Sequence, residues 1–189
     1  MLATAKHFVG YAVTEGGQNM AATAVGAREL YDVQARPFEA AFRLAGLAMV
    51  MPSYSEFDGV PISGSHAVLS DMLRDRMGFT GTTVSDYVAI GFLHTRQKVA
   101  ATPEEAGLLA LAAGMDVETP AVYGYGQVLA KAVRDGKISE SLLDRSVRRV
   151  LCDKYALGLF ENPYVPENPA VIRAVAKAPT CRGGSPPNR

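Results

Sequence analysis

Several short apolar or β-branched runs in this sequence stop at groups that could do chemistry. Thr82-Thr83-Val84-Ser85 ends in Asp86 and Tyr87, and Leu2–Ala5 leads into Lys6-His7. Leu47–Val50 runs into Met51-Pro52-Ser53-Tyr54, and Met115 is followed by Asp116 and Glu118. A charge at the end of a buried strand is costly unless it is paired or put to use. In parallel α/β architectures the active groups gather at the carboxyl ends of the strands. An ammonium, an imidazole, a phenol and carboxylates gathered there suit a polyhydroxyl ligand. Such a ligand needs donors and acceptors for its hydroxyls and an apolar wall for its ring C–H face. A carboxylate beneath an anomeric carbon can act as the nucleophile of retaining glycoside hydrolysis.

Each position also has a plainer reading. A strand-terminal Asp often caps a helix or a turn. Lys6 reads as a surface lysine, His7 as a core histidine, Tyr54 as packing and Met51 as core filler. Asp116 could tie down a loop, and Asp58-Gly59 reads as a turn. Their joint placement at successive strand ends favours a shared site.

The elements that must position these groups are legible as alternating strands and helices. The pattern predicts a strand over Leu2–Lys6 and a helix over Arg28–Leu44, then a strand over Leu47–Ser53 and a helix over Ala67–Met77. A third strand covers Thr82–Ser85 and a helix Pro103–Ala113. A fourth strand covers Met115–Glu118, with helices over Gly126–Arg134 and Ser139–Tyr155. Gly46, Gly78, Gly114 and Gly136 sit where left-handed residues end helices. Thr102-Pro103-Glu104-Glu105 reads as a cap, a first-turn proline and a carboxylate three residues past the cap. In the last helix Ile138, Leu142, Leu143, Val147, Val150 and Leu151 make one apolar face.

Four strand–helix units and a terminal helix predict an α/β fold with a parallel sheet. A closed eight-stranded barrel takes about 250 residues, so this chain of 189 residues reads as roughly half of one, a partial (β/α)8 barrel. A small open doubly wound sheet is the alternative. No Gly-rich phosphate loop follows any strand, which weighs against nucleotide cofactors. The domain reading is a barrel segment over residues 1–160, then an extended linker and disordered tail over 161–189.

Bulk properties narrow the function. The formal net charge is zero, which argues against a nucleic-acid partner. No apolar run reaches membrane-span length. The 3 histidines lack metal-ligand spacing, and the 2 cysteines, Cys152 and Cys181, form no framework. No metal and no cofactor is expected. The start directly in a strand reads as a piece of a larger soluble protein, cytoplasmic or secreted.

Several segments together resemble the barrel domain of glycoside hydrolase family 3, the β-glucosidases and β-xylosidases. They are Lys6-His7-Phe8 with Glu15-Gly16-Gly17, Arg28-Glu29-Leu30, Met51-Pro52-Ser53-Tyr54-Ser55 with Asp58-Gly59, and Val84-Ser85-Asp86-Tyr87. Ala113–Glu118 and Gly158-Leu159-Phe160 extend the likeness to about residues 1–165. The resemblance implies a retaining β-glycosidase acting on β-glucosides or β-xylosides, as β-linked oligosaccharides or aryl glycosides. It implies Asp86 as the nucleophile that forms the covalent glycosyl intermediate. Lys6 and His7 would bond sugar hydroxyls, Tyr54 would orient Asp86, and Met51 would wall the subsite. A Lys6 ammonium near Asp86 would keep it ionised.

The departures from the family pattern shape the expectation. Earlier barrel strands supply further sugar contacts in the family, and the general acid/base usually lies in a following α/β sandwich domain. Gln18 stands where an Arg is frequent, and Ser55 where an Asn is. The resemblance therefore implies that the isolated chain is inactive, with the missing barrel half and the sandwich domain as its partners. The alternatives are an N-acetylhexosaminidase of the same family, and a non-catalytic sugar-binding or structural remnant of a truncated gene.

Overall fold

The computed structural model describes residues 1–165 and 167–176. Its strands are β1 (Thr4–Phe8), β2 (Ala22–Thr23), β3 (Met49–Pro52), β4 (Glu56–Phe57), β5 (Val60–Pro61) and β6 (Thr82–Thr83). β1, β3 and β6 form a parallel sheet in that order. A parallel bridge between Val84 and Val117 adds the fourth predicted strand at the far edge. The strands therefore lie side by side in chain order, as successive right-handed crossovers produce. The arrangement is the parallel strand–helix sheet expected of part of a (β/α)8 barrel.

The helices are α1 (Ala27–Glu29), α2 (Arg36–Ala45), α3 (Ala89–Thr95), α4 (Pro103–Ala113), α5 (Gln127–Arg134), α6 (Glu140–Ala156) and α7 (Pro169–Ala176). Wider π-helical turns cover Leu30–Gln34 and Ala67–Arg76. The predicted helix over Arg28–Leu44 is thus two pieces that meet at Ala35, next to Arg36-Pro37. Proline supplies no N–H to continue the ladder, so the chain re-enters helix there. α4 has the predicted bounds. Thr102 Oγ1 accepts from Glu105 N at 3.1 Å, and Glu105 Oε2 accepts from Ala101 N at 2.7 Å.

Apolar burial secures the layers. Phe8 and Val50 of the sheet join Leu69, Leu73, Ile90, Leu93, Ala106 and Ala110 in one buried cluster. Burying each large member contributes about 1.5–3 kcal/mol. A Cβ at Gly107 of α4 would lie 2.2 Å from the Gly124 carbonyl oxygen, so a helix crosses a loop with no side chain between them. A second, small sheet of β2, β4 and β5 closes around a turn with both Asp58 (φ 50°) and Gly59 (φ 75°) left-handed. That is the hairpin geometry an Asp-Gly pair favours.

Val147 and Leu151, on the apolar face read from the sequence, are exposed on α6 together with Tyr155. Periodicity marks an apolar face but cannot say what covers it. The chain divides into Met1–Leu157 and Gly158–Arg189. The second unit contains α7. The tail reading for residues 179–189 lies outside the described residues. No helix among the described residues is long and apolar enough to cross a membrane.

Candidate active site

The site is assembled at the carboxyl ends of β1, β3 and β6. Ser53, one residue past β3, ties the first two ends together. Its N–H donates to Phe8 O at 2.6 Å and its hydroxyl to Val9 O at 3.3 Å. Ser55 Oγ lies 2.5 Å from Ser53 Oγ, and both serines are fully buried. Between these buried hydroxyls the half-buried Tyr54 is held outward, its carbonyl accepting from Gln97 Nε2 at 2.9 Å and its ring 5.4 Å from that of Phe92.

Asp86 stands beyond the end of β6 with both carboxylate oxygens engaged. Oδ1 accepts from Tyr87 N at 2.7 Å, and Oδ2 lies 3.3 Å from His7 Nε2. The carboxylate remains 15% exposed and the imidazole 25%, so a ligand can reach both. The His7 ring sits 4.9 Å from that of Tyr11. The peptide bonds Lys6–His7 and Phe8–Val9 are cis.

The Tyr54 hydroxyl donates to Tyr87 O at 2.7 Å, beside Asp86. Partial burial first, and then the nearby Asp86 carboxylate, push this phenol well above the usual tyrosine range. It is thus a proton-bearing donor at any physiological pH.

The structure brings Asp86, His7 and Tyr54 close together. Met51 lies on β3 in register with Lys6 on β1 and is half-buried. Lys6 is exposed, and no ion pair of the described residues includes it. The cationic partner expected from Lys6 is therefore not seen, and His7 takes the place beside Asp86.

Asp116 and Glu118, although at a strand end, serve the scaffold. Asp116 is buried between Arg74 Nη2 at 2.9 Å and Arg149 Nη1 at 2.8 Å, and it accepts from Thr83 N, Thr83 Oγ1 and Ser146 Oγ. Burial holds the Arg74 guanidinium down at about 10 despite the Asp116 charge that opposes it. The Glu118 carboxylate accepts from the N–H groups of Tyr123, Gly124 and Tyr125 and so fixes the following loop. Among the described residues no group of three or more His, Cys, Asp or Glu could hold a metal ion.

The sequence model of the glycosyl hydrolase family 3 N terminal domain matches residues 1–152. The chain belongs to glycoside hydrolase family 3. A family-3 relative named beta-xylosidase, from Formosa agariphila, is 37% identical over 168 residues, covering 85% of this chain and 23% of its own length. A periplasmic beta-glucosidase of Salmonella typhimurium is 35% identical over 164 residues, covering 87% of this chain and 21% of its own length. A solved β-glucosidase from Erythrobacter marinus superposes with a TM-score of 0.86 at 35% identity, covering 95% of this chain and 23% of that one. A β-glucosidase from Listeria innocua, solved in complex with glucose, has a TM-score of 0.82 at 35% identity, covering 87% of this chain and 22% of that one. The chain thus spans between a fifth and a quarter of the length of these relatives.

Sequence reasoning missed two features of the site. Val88, two residues past Asp86, is left-handed (φ 63°). Thr119 bonds the backbone on both sides of Asp86. Neither residue type signals such a role by itself.

Proposed function

We propose that this chain carries the nucleophile side of a retaining β-glycosidase site for β-glucosides or β-xylosides. The observation that carries the reading is the Asp86–His7 pair at 3.3 Å, with the protonated phenol of Tyr54 beside it. In the first step an Asp86 oxygen attacks the anomeric carbon. The bond from that carbon to the aglycone oxygen breaks, and the departing oxygen takes a proton from a general acid. A glycosyl ester on Asp86 results. Water then attacks the same carbon, gives up its proton to the conjugate base of that acid, and frees the carboxylate.

His7 Nε2 stands 3.3 Å from Asp86 Oδ2, and the Tyr87 N–H donates to Oδ1. These bonds fix the carboxylate plane before substrate arrives, which reduces the reorganisation needed in the transition state. Lys6 and Met51 line the adjoining strand ends. The general acid is assigned to a part of the enzyme outside this chain. General acid–base assistance is worth about 10²–10⁴ in rate, so the isolated 189-residue chain is inactive toward ordinary glycosides.

An activated 2-deoxy-2-fluoro-β-glycoside with a dinitrophenolate leaving group needs no proton donor and tests the nucleophile directly. Intact-mass and peptide analysis should find one fluoroglycosyl adduct, on Asp86, that is absent from Asp86→Asn. An adduct on another residue, or none over many hours, would refute the assignment. Turnover of an aryl β-glucoside or β-xyloside by the chain alone, abolished by Asp86→Ala, would refute its inactivity in isolation.

A further inference from the structure

Asp86 is mounted on a tight turn between β6 and α3. The turn closes with Ala89 N donating to Asp86 O at 3.1 Å, and it passes through Val88 in the left-handed region (φ 63°, ψ 8°). A β-branched residue is rarely found there, and the conformation persists only where surrounding bonds impose it. Val88 is itself exposed, so burial of its side chain does not impose the conformation.

The bonds that impose it converge on one residue of the neighbouring strand end. The Thr119 hydroxyl donates to Ser85 O at 2.6 Å, and Thr119 N donates to Ser85 Oγ at 2.9 Å. Thr119 O accepts from Val88 N at 2.9 Å. One residue therefore grips the chain immediately before Asp86 and again two residues after it. Ser85 is fully buried, so water cannot replace the Thr119 hydroxyl on its carbonyl. The loop that carries Thr119 is itself secured, by Glu118 on three of its N–H groups and by the Tyr123 hydroxyl 2.6 Å from His94 Nδ1.

We propose that Thr119 is a positioning residue for Asp86, whose hydroxyl and carbonyl bracket the strained turn and so aim the carboxylate at His7. The bracket rests on the reading of Asp86 as nucleophile for its purpose, though not for its existence. Losing the hydroxyl leaves the Ser85 carbonyl unbonded and lets the left-handed turn relax, carrying Asp86 with it.

Two measurements on the 189-residue chain test this. Backbone amide exchange at Tyr87 and Val88 should quicken at least tenfold in the isosteric Thr119→Val and return to within about threefold of the native rate in Thr119→Ser. The amides of Ala5 and Val50 should be unaffected. Unchanged exchange at Val88 in Thr119→Val overturns the bracket, whatever Asp86 does. If Thr119→Val does not fold, the double variant Val88→Gly/Thr119→Val should, because glycine removes the strain; failure of that variant also overturns it. In the fluoroglycoside reaction, Thr119→Val should label Asp86 at least tenfold more slowly and Thr119→Ser near the native rate. Native-rate labelling by Thr119→Val overturns the positioning role. Absence of label from the native chain counts against Asp86 as nucleophile and leaves the exchange result to decide the bracket.

Discussion

His7 and Asp86 meet at 3.3 Å although their strands are not neighbours, for β3 lies between β1 and β6. Contact across an intervening strand requires both groups to rise above the sheet's end, over the segment that holds Tyr54. The imidazole and the carboxylate both keep part of their surface in water, so their contact is worth about 1 kcal/mol. His7→Ala should therefore slow fluoroglycoside labelling of Asp86 by about fivefold. Unchanged fold, checked by circular dichroism, would separate this from general disruption.

Tyr54 provides a pH signature. Its phenol is raised above the usual value of 10, first by partial burial and then by the nearby Asp86 carboxylate. Tyr125 is raised well above it too, first by burial and then by Asp116 and Glu118. A phenol raised on folding binds its proton more tightly in the folded state. Its contribution is whole below pH 10 and falls as pH climbs past 10. An absorbance titration should show these two tyrosines ionising last, together with unfolding. Tyr54→Phe should flatten the alkaline loss of stability.

Asp116 lies between two paired guanidiniums, with the partly buried Arg145 close enough that Asp116 acts on its ionisation. Removing the carboxylate would leave buried cations without compensation. Asp116→Ala should destabilise the chain by about 3–5 kcal/mol, read as a lower urea midpoint. Asp86→Ala, at a solvent-accessible position, should leave that midpoint nearly unchanged. The contrast separates the scaffold carboxylate from the candidate catalytic one.

Much of this arrangement was readable from residue types. The caps and proline around α4 and the glycine ends of α2 and α4 identified crossovers, and the crossovers implied which strand ends share a face. Asp86, His7 and Tyr54 followed. That His7 rather than Lys6 stands beside Asp86 was not readable, because adjacent residues on a strand offer no local cue to which one approaches a distant carboxylate. Asp116 misleads for a related reason. A carboxylate at a strand end looks the same in sequence whether it faces the ligand side or the helices, and a single-residue offset exchanges the two. α3 escaped notice because Ala89-Ile90-Gly91-Phe92-Leu93 is apolar nearly all round, with no polar face to reveal a period. Thr119 needs the fold itself, since its bonds run to a strand far away in sequence.

The crossing at Gly107 and Gly124 is the tightest approach of α4 to the loop bearing Glu118's partners. Gly107→Ala would place a methyl 2.2 Å from the Gly124 carbonyl oxygen. Backbone cannot yield as a flexible side chain can, so the cost should reach about 1–3 kcal/mol. Denaturant unfolding of Gly107→Ala beside Gly136→Ala provides the comparison. Gly136 has open space but is left-handed (φ 70°). Its alanine variant should therefore report conformational strain alone.

The order β1-β3-β6 also constrains how the molecule comes into being. Parallel neighbours need a crossover between them, so each added strand closes a long loop before any reward arrives. The carboxylate meets its imidazole only when the last of these loops has shut. A newly made chain should gain helix early and the Asp86–His7 pair late, and a collapsed intermediate could carry nearly native circular dichroism while remaining unable to react with a sugar.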